Sequence, residues 1–237
     1  MKSIVEIIIK KIKSEDSYQI KLALSKRELF HVIILRIGQI IRGFSKRFKF
    51  RKISGLFFCG HKVRVEFGYK IISGKNLILE DNVFINAFSI NGIILGNNVT
   101  IAKGSILQCT GVVANKGLGI IIGNNSALGA QSYLGGQGGI KIGDNVIMGP
   151  GIKIFSENHN YSDANELIRK QGENRKGVLI KNNCWIGANT TIVDGVEIEE
   201  GCIIAAGSVV TKSIPQNSIA AGVPAKVIKS RIDKNII

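Results

Sequence analysis

The sequence predicts an all-β fold, a solenoid in which short parallel strands wind into a three-sided coil. An aliphatic residue recurs at every sixth position, a compact residue stands four places after it, and Gly, Asn or Asp punctuates the units. Neither a helical period of about 3.6 nor a two-residue alternation produces such a repeat. Each six-residue unit is therefore expected to form one face of a triangular prism. The longest aliphatic series is Ile180, Ile186, Ile192, Ile198, Ile204 and Val210.

The compact positions repeat with the same period. Successive coils should stack at the spacing of neighbouring strands, roughly 4.8 Å, which places Ile180 beneath Ile198 and Cys184 beneath Cys202. Shorter series with the same period begin at Leu79, Leu95 and Ile122, so the coil is expected to span residues 61–230. The compact series is Cys184, Thr190, Val196, Cys202, Ser208 and Ile214.

The N-terminal segment, residues 1–60, is predicted to be partly helical and is the basic part of the chain. Residues 1–70 carry 17 Lys and Arg against 5 Asp and Glu, a net charge of +12, whereas the remainder carries only +3. Basic and apolar residues alternate in it, so residues 1–52 could contact an anionic membrane surface. A solvated face of a small helical cap explains the charge equally well. No nucleic-acid-binding module accompanies it, so no nucleic acid partner is expected.

Targeting features and cysteine spacing suggest an intracellular chain. The N-terminus lacks a secretory cleavage pattern, and no apolar run approaches the roughly 20 residues of a membrane span. We expect a cytoplasmic protein, or one peripheral to the inner face of the membrane. The four cysteines form no CxxC pair and no zinc-ligand spacing, so free thiols and no metal are expected. Residues 231–237 are predicted to form a C-terminal tail.

The repeat is expected to break once, after Ile154, where a polar loop at about residues 160–177 leaves the coil. A solenoid tolerates such an outward insertion, and loops on rigid scaffolds often carry function. His159, which is the only histidine of the repeat region, stands at the start of this loop. Imidazole titrates near neutral pH, so His159 could accept a proton from a substrate hydroxyl.

Three segments carry a family resemblance: CWIGAN at 184–189, AAGSVVTK at 205–212 and AGVPAK at 221–226. Together with the repeat they make residues 75–230 resemble the hexapeptide-repeat acyltransferases, in the branch of galactoside, maltose and polysaccharide O-acetyltransferases. The resemblance implies a left-handed parallel β-helix, acetyl-CoA as acyl donor without a metal, and a homotrimer with its sites in the grooves between adjacent prisms.

The same resemblance implies roles for individual residues. His159 matches the catalytic histidine, a general base for direct attack of a hydroxyl on the thioester. Ala188 and Ala206 match positions whose backbone meets the pantetheine arm of coenzyme A. The positions that match phosphate contacts are Thr211, Lys212, Lys226 and Lys229.

The acceptor side is predicted from Trp185, Gln137 and Asn158. Trp185 points outward, where its indole could meet the acceptor or the cofactor, or simply pack against the loop. The glycine-rich stretch 135–139 could leave a bare surface for substrate, or be only a wide turn. Gln137 replaces an acidic residue of the galactoside branch, and Gly129 and Gln131 replace asparagines. These departures favour a larger acceptor, such as a lipid-linked or nucleotide-linked glycan unit.

The sequence therefore predicts an acetyl-CoA-dependent O-acetyltransferase of a sugar or surface-glycan precursor, acting in polysaccharide biosynthesis. The enzymatic alternative is N-acylation of a nucleotide-linked amino sugar. The non-enzymatic alternative is a structural β-helix that binds a partner. A γ-type carbonic anhydrase would need three zinc-binding histidines, but His31 and His61 lie outside the repeats.

Overall fold

A computed structural model describes residues 6, 7, 10, 11, 19 and 25–232. Much of the segment predicted to contact a membrane, and the predicted tail from residue 233, lie outside these residues. From Lys52 onwards the chain winds through seven coils, each of which contributes one short strand to each of three parallel sheets. We call the sheets the first, second and third face of the prism.

The strands of each face follow one another coil by coil. The first face contains β1 (Lys52–Ile53), β4 (Ile71–Ser73), β7 (Ile93–Leu95), β10 (Ile120–Ile122), β13 (Ile140–Ile142), β18 (Val178–Ile180) and β21 (Glu197–Ile198). The second face contains β2 (Phe57–Cys59), β5 (Leu77–Leu79), β8 (Thr100–Ile101), β11 (Ala127–Leu128), β14 (Ile147–Met148), β19 (Trp185–Ile186), β22 (Ile203–Ile204), β24 (Ser218–Gly222) and β25 (Ala225–Ser230), the last one antiparallel. The third face contains β3 (Arg64–Glu66), β6 (Phe84–Asn86), β9 (Ile106–Gln108), β12 (Tyr133–Gly135), β15 (Lys153–Phe155), β20 (Thr191–Ile192) and β23 (Val209–Val210).

The core consists of stacked aliphatic ladders, as the six-residue period predicts. Ile180 pairs with Ile198 and Ile186 with Ile204, and all four side chains are fully buried. The compact positions from Cys184 to Ile214 are buried as well. Apolar area removed from water in this way is the main stabilising term for such a solenoid. On the third face the ladder runs through Val65, Ile85, Leu107, Leu134, Ile154, Ile192 and Val210.

The corner between the first and second faces is built from stacked asparagines. Asn98, Asn125, Asn145 and Asn183 take left-handed backbone conformations, with φ between 53° and 58°. Asparagine adopts this conformation more readily than most residues, which explains its place in the turns. The side-chain amide of Asn98 donates to Asn125 at 2.8 Å, and that of Asn125 donates to Asn145 at 3.3 Å.

A helix precedes the coils. Helix α1 (Lys26–Lys46) begins with a capping box, in which Ser25 and Glu28 each accept from the other's backbone N–H, at 3.2 and 2.8 Å respectively. A 3₁₀ turn, Arg47–Lys49, follows it, and two further turns of this type are Gly68–Lys70 and Ile168–Lys170. Because β1 and β2 already belong to the faces, the boundary predicted between residues 60 and 61 falls inside the first coil. Among the described residues no helix is long and apolar enough to cross a membrane.

The chain leaves the repeat at more than one place. The predicted loop lies between β15 and β18 and contains a two-stranded antiparallel ribbon, β16 (Asn158–His159) with β17 (Glu173–Asn174). A second excursion, residues 109–119, lies between β9 and β10. The expectation of a single interruption is therefore wrong, and the gap between Leu107 and Ile120 in the aliphatic series was its signal.

Candidate active site

His159 lies on the ribbon that projects from the corner between the third and first faces. In this ribbon Asn158 stands opposite Asn174 and His159 opposite Glu173. Residues directly opposite each other in an antiparallel pair carry side chains on the same side, with Cβ atoms about 5 Å apart. Both Asn158 and His159 are exposed. The imidazole is thus open to a substrate and has a carboxylate as its nearest cross-strand neighbour.

The ribbon is held in place by a cluster of hydrogen-bonded polar side chains. Arg175 donates from Nε to Glu157 Oε2 at 2.9 Å and from Nη1 to Asn115 Oδ1 at 2.8 Å. Asn115 in turn donates from Nδ2 to Glu173 Oε2 at 2.9 Å. The side chains of Arg175 and Glu157 are only 17% and 22% exposed, so these charge-assisted bonds are partly shielded from water. We call Asn115, Glu157, Glu173 and Arg175 the ribbon cluster.

The glycine-rich stretch 135–139 packs beneath the ribbon. Gly136 and Gly138 are buried, and the Gly138 N–H donates to Ser156 Oγ at 2.9 Å. A Cβ on Gly138 would lie 1.8 Å from the Ser156 carbonyl oxygen, and one on Gly136 would lie 2.6 Å from Ile120. Of the two interpretations, a bare surface or a turn, these contacts favour the turn, because the glycines let adjacent coils approach closely.

The predicted site residues fall into two groups in one chain. Gln137 and the ribbon residues stand at the corner between the third and first faces, and so do Thr211 and Lys212, which follow β23. The second group lies on the second face or at its corner with the third face, where Gly129 and Gln131 also lie. The third face separates the two groups. The second group consists of Trp185, Ala188, Ala206, Lys226 and Lys229.

Trp185 lies on the outer surface of the second face. Its side chain is 55% exposed, and it stands in register between Ile147, which is 61% exposed, and Ile203. The indole is therefore available to a ligand or to a neighbouring chain. The choice between substrate contact and packing stays open.

The lysines predicted to meet phosphates have no partner among the described residues. Within residues 25–232 no acidic group or hydrogen-bond acceptor pairs with the ammonium groups of Lys212, Lys226 or Lys229. Lys181 differs, since it pairs with Glu197 at 3.0 Å and Glu199 at 2.8 Å. Unpaired cations suit a phosphorylated ligand, although in one chain Lys212 stands at a different corner from Lys226 and Lys229.

Ala188 and Ala206, which are predicted to meet the pantetheine arm, stand at a tightly packed corner. A Cβ on Gly187 would lie 2.4 Å from the Ala206 nitrogen, and one on Gly149 would lie 2.7 Å from the Ala188 nitrogen. Ala188 accepts from the Gly207 N–H at 2.8 Å through its carbonyl. The small residues therefore fix the backbone of this corner, while Ala206 stays exposed.

Cysteine thiols and metal-ligating side chains are the other candidate reactive groups in the described part of the chain. All four cysteines are free and buried. Burial raises the pKa of the Cys59 thiol and raises that of Cys109 to about 12, whereas the hydrogen bond with the Cys184 thiol lowers the pKa of Cys202. Among the described residues no group of three or more His, Cys, Asp or Glu side chains could hold a metal ion. His31 lies on α1, His61 at a corner of the first coil and His159 on the ribbon.

The comparisons first define the class. The family model for the bacterial transferase hexapeptide (six repeats) matches residues 177–212, and the one for the hexapeptide repeat of succinyl-transferase matches 76–109 and 119–156. The solved structure of a mutant of AntD, an N-acyltransferase from Bacillus cereus in complex with dTDP and coenzyme A, superposes with a TM-score of 0.58 at 23% identity, over 79% of this chain and 88% of that one. The repeat matches and the shared fold confirm the predicted left-handed parallel β-helix.

Curated relatives show which branch the chain resembles. The chain is 40% identical over 97 residues to a galactoside O-acetyltransferase of Escherichia coli (strain K12), a match that covers 40% of this chain and 46% of that protein. A galactoside O-acetyltransferase of Lactococcus lactis subsp. lactis (strain IL1403) is 38% identical over 88 residues, which cover 37% and 42% of the two chains. The match thus spans less than half the length of either relative. The resemblance to the galactoside acetyltransferase branch is confirmed.

Proposed function

We propose that this protein is an acetyl-CoA-dependent O-acetyltransferase that acts on a hydroxyl of a sugar or surface-glycan precursor. The observation that carries the proposal is an exposed histidine, His159, on a ribbon braced by charged hydrogen bonds, in a coil that resembles galactoside O-acetyltransferases. Acetyl-CoA, the proposed donor, is consistent with a reaction in the cytoplasm.

The chemistry needs one proton acceptor and a well-placed thioester. The acceptor oxygen attacks the acetyl carbonyl while His159 takes the hydroxyl proton. The tetrahedral intermediate collapses, the C–S bond breaks, and the proton passes from His159 to the coenzyme A thiolate. The thioester is already activated, so positioning and a donor to the oxyanion supply the rest of the catalysis.

In this proposal the active site is complete only when copies of the chain assemble. In one chain the third face separates His159 from Trp185 and the pantetheine corner. A homotrimer with its prisms side by side would set the His159 ribbon of one chain against the second face of the next. The coenzyme A phosphates would then meet Lys212, Lys226 and Lys229, which have no partner within the described part of the chain.

The acceptor is proposed to be larger than a simple galactoside, because Gln137 replaces the acidic residue of that branch. N-acylation of a nucleotide-linked amino sugar is the second candidate. AntD, which shares the fold, is an N-acyltransferase solved with dTDP. A neutral amine can attack the thioester before it loses a proton, so in N-acylation His159 would take the proton from the tetrahedral adduct instead of from the attacking group.

The test is release of free thiol from acetyl-CoA in the presence of a panel of glycans and amino sugars. The buried cysteines of the protein should add little background. His159→Ala should lower turnover by about 10²-fold or more, in line with loss of a positioned base. His61→Ala, which changes an exposed histidine of the first coil, should leave turnover unchanged.

Two outcomes would change the assignment. Undiminished turnover in His159→Ala would remove the imidazole from the mechanism. Turnover of amino sugars alone would establish N-acylation in place of O-acylation.

A further inference from the structure

Helix α1 and the turn after it expose a continuous apolar stripe. Its six members are spaced alternately by four and three residues, which places them on one side of a helix. Every one is exposed, from 47% at Ile37 to 82% at Phe44. We call this set the outer stripe: Phe30, Ile34, Ile37, Ile41, Phe44 and Phe48.

The opposite side of α1 is fixed to the first coil. Gly43 is buried against β2, where a Cβ would lie 1.9 Å from the Phe57 carbonyl oxygen. Arg42 Nε donates to the Cys59 carbonyl at 2.9 Å, and Lys46 Nζ donates to the Val63 carbonyl at 2.8 Å. The helix thereby covers the edge strand of the second face, a common protection for an open sheet edge. The outer stripe is left facing away from the prism.

Charge around the stripe favours a particular partner. Residues 26–52 carry nine Lys and Arg but only one acidic residue, Glu28, which is engaged in the capping box. Exposed cations stand near both ends of the stripe, Lys26 and Arg27 before it, and Lys49 and Arg51 around its end. Two copies of such a surface would repel each other, whereas an anionic bilayer attracts it, at about 1 kcal/mol per basic residue close to the surface.

We infer that α1 is an in-plane anchor that inserts the outer stripe into the surface of an anionic phospholipid bilayer. An amphipathic helix of this kind lies at the boundary between headgroups and acyl chains, with its cations at the phosphates. The first coil then lies next to the membrane, and the later coils extend away from it.

This arrangement narrows the acceptor class, in a step that rests on the proposed function. The residues predicted to bind the cofactor lie in the sixth and seventh coils and in the β24–β25 hairpin. Five coils at roughly 4.8 Å place them on the order of 24 Å above the first coil. An acceptor that reaches this height is a glycan extended from a lipid anchor, rather than a sugar at the bilayer surface.

The test is co-sedimentation of the full chain with two kinds of vesicle. One kind is pure phosphatidylcholine, and the other is phosphatidylcholine with about 30% phosphatidylglycerol. The full chain should sediment with the anionic vesicles and be released by high salt. The stripe variant Ile41→Ser/Phe44→Ser/Phe48→Ser should lose at least about 10-fold in partitioning. The matched control Ile90→Ser/Val112→Ser/Val113→Ser, which changes three exposed apolar residues elsewhere, should bind like the unaltered chain.

The inference is overturned by an unaltered chain that stays in the supernatant with anionic vesicles, or by a stripe variant that still sediments. If the variant instead lowers the mass measured by light scattering without vesicles, the stripe binds protein and the inference is also wrong. Turnover of a water-soluble acceptor should be equal in the variant and the unaltered chain. That readout separates failure of the anchor from failure of the proposed function.

Discussion

Arg175 is the residue on which the orientation of the ribbon depends. It joins Glu157, two residues before His159, to Asn115 of the second excursion, and Asn115 bonds the carboxylate opposite the imidazole. A hydrogen bond to a charged group typically contributes about 1.5–3 kcal/mol. These bonds are strong enough to favour one ribbon conformation, so we expect Arg175 to act as a positioning residue for His159.

Arg175→Ala should lower kcat by about 10-fold or more and leave KM for acetyl-CoA nearly unchanged, because the imidazole loses its fixed position while the cofactor lysines are untouched. Steady-state kinetics of thiol release measures both constants. Arg175→Lys keeps one charge contact but loses the planar fork, so its kcat should lie between that of Arg175→Ala and that of the unaltered chain.

The control is Arg169→Ala, an exposed arginine of the same loop. It should behave like the unaltered chain. An Arg175→Ala enzyme with normal kcat would show that the cluster is structural only.

At the residue scale, the sequence pointed to His159 as a candidate base but not to the groups that hold its ribbon. A lone histidine beside a break in a strict period is visible in the sequence. Asn115 and Arg175 lie 60 positions apart in two segments without period, so no local pattern relates them. The gap between Leu107 and Ile120 could have drawn attention to the first segment.

Among the elements, the inward ladders carry the stability. Ile186 is fully buried between Met148 and Ile204 in register on the second face. Ile186→Ala should lower the free energy of unfolding by about 2–5 kcal/mol, through lost burial and the cavity left in a stack that cannot collapse. Chemical denaturation followed by circular dichroism measures the change.

Ile147 provides the matched control on the same face. Its side chain points outward, so Ile147→Ala should change stability by about 0.5 kcal/mol or less. Equal losses in the two variants would mean that the ladder is not the core.

The start of the coil shows why element boundaries were harder to predict than the repeat itself. Ile53, Cys59 and Val65 follow the six-residue period and lie in register with the ladders of the next coil. A search for aliphatic residues passes over Cys59, although a buried thiol packs like a small apolar side chain. The coil therefore begins at Lys52, before the predicted boundary.

At the scale of the whole molecule, the two ends of the prism have different proposed functions, membrane anchoring at one end and cofactor binding at the other. The first coil carries α1 and the outer stripe, and the last coils carry the unpaired lysines. The six-residue period and the C-terminal motifs were sufficient to predict the architecture. The six-residue period does not predict how α1 packs on the first coil or how chains would assemble. Those contacts depend on irregular segments and on surface residues, which do not follow the repeat.

Titration calorimetry with acetyl-CoA shows whether this prism binds a thioester-bearing cofactor. The unaltered chain and His159→Ala should give the same saturable heat, since the base does not hold the donor. Lys212→Ala/Lys226→Ala should bind at least about 10-fold more weakly, because each lost contact to a phosphate removes a charged hydrogen bond. A folded, unaltered chain that gives no saturable heat would contradict the account and leave a structural β-helix in its place.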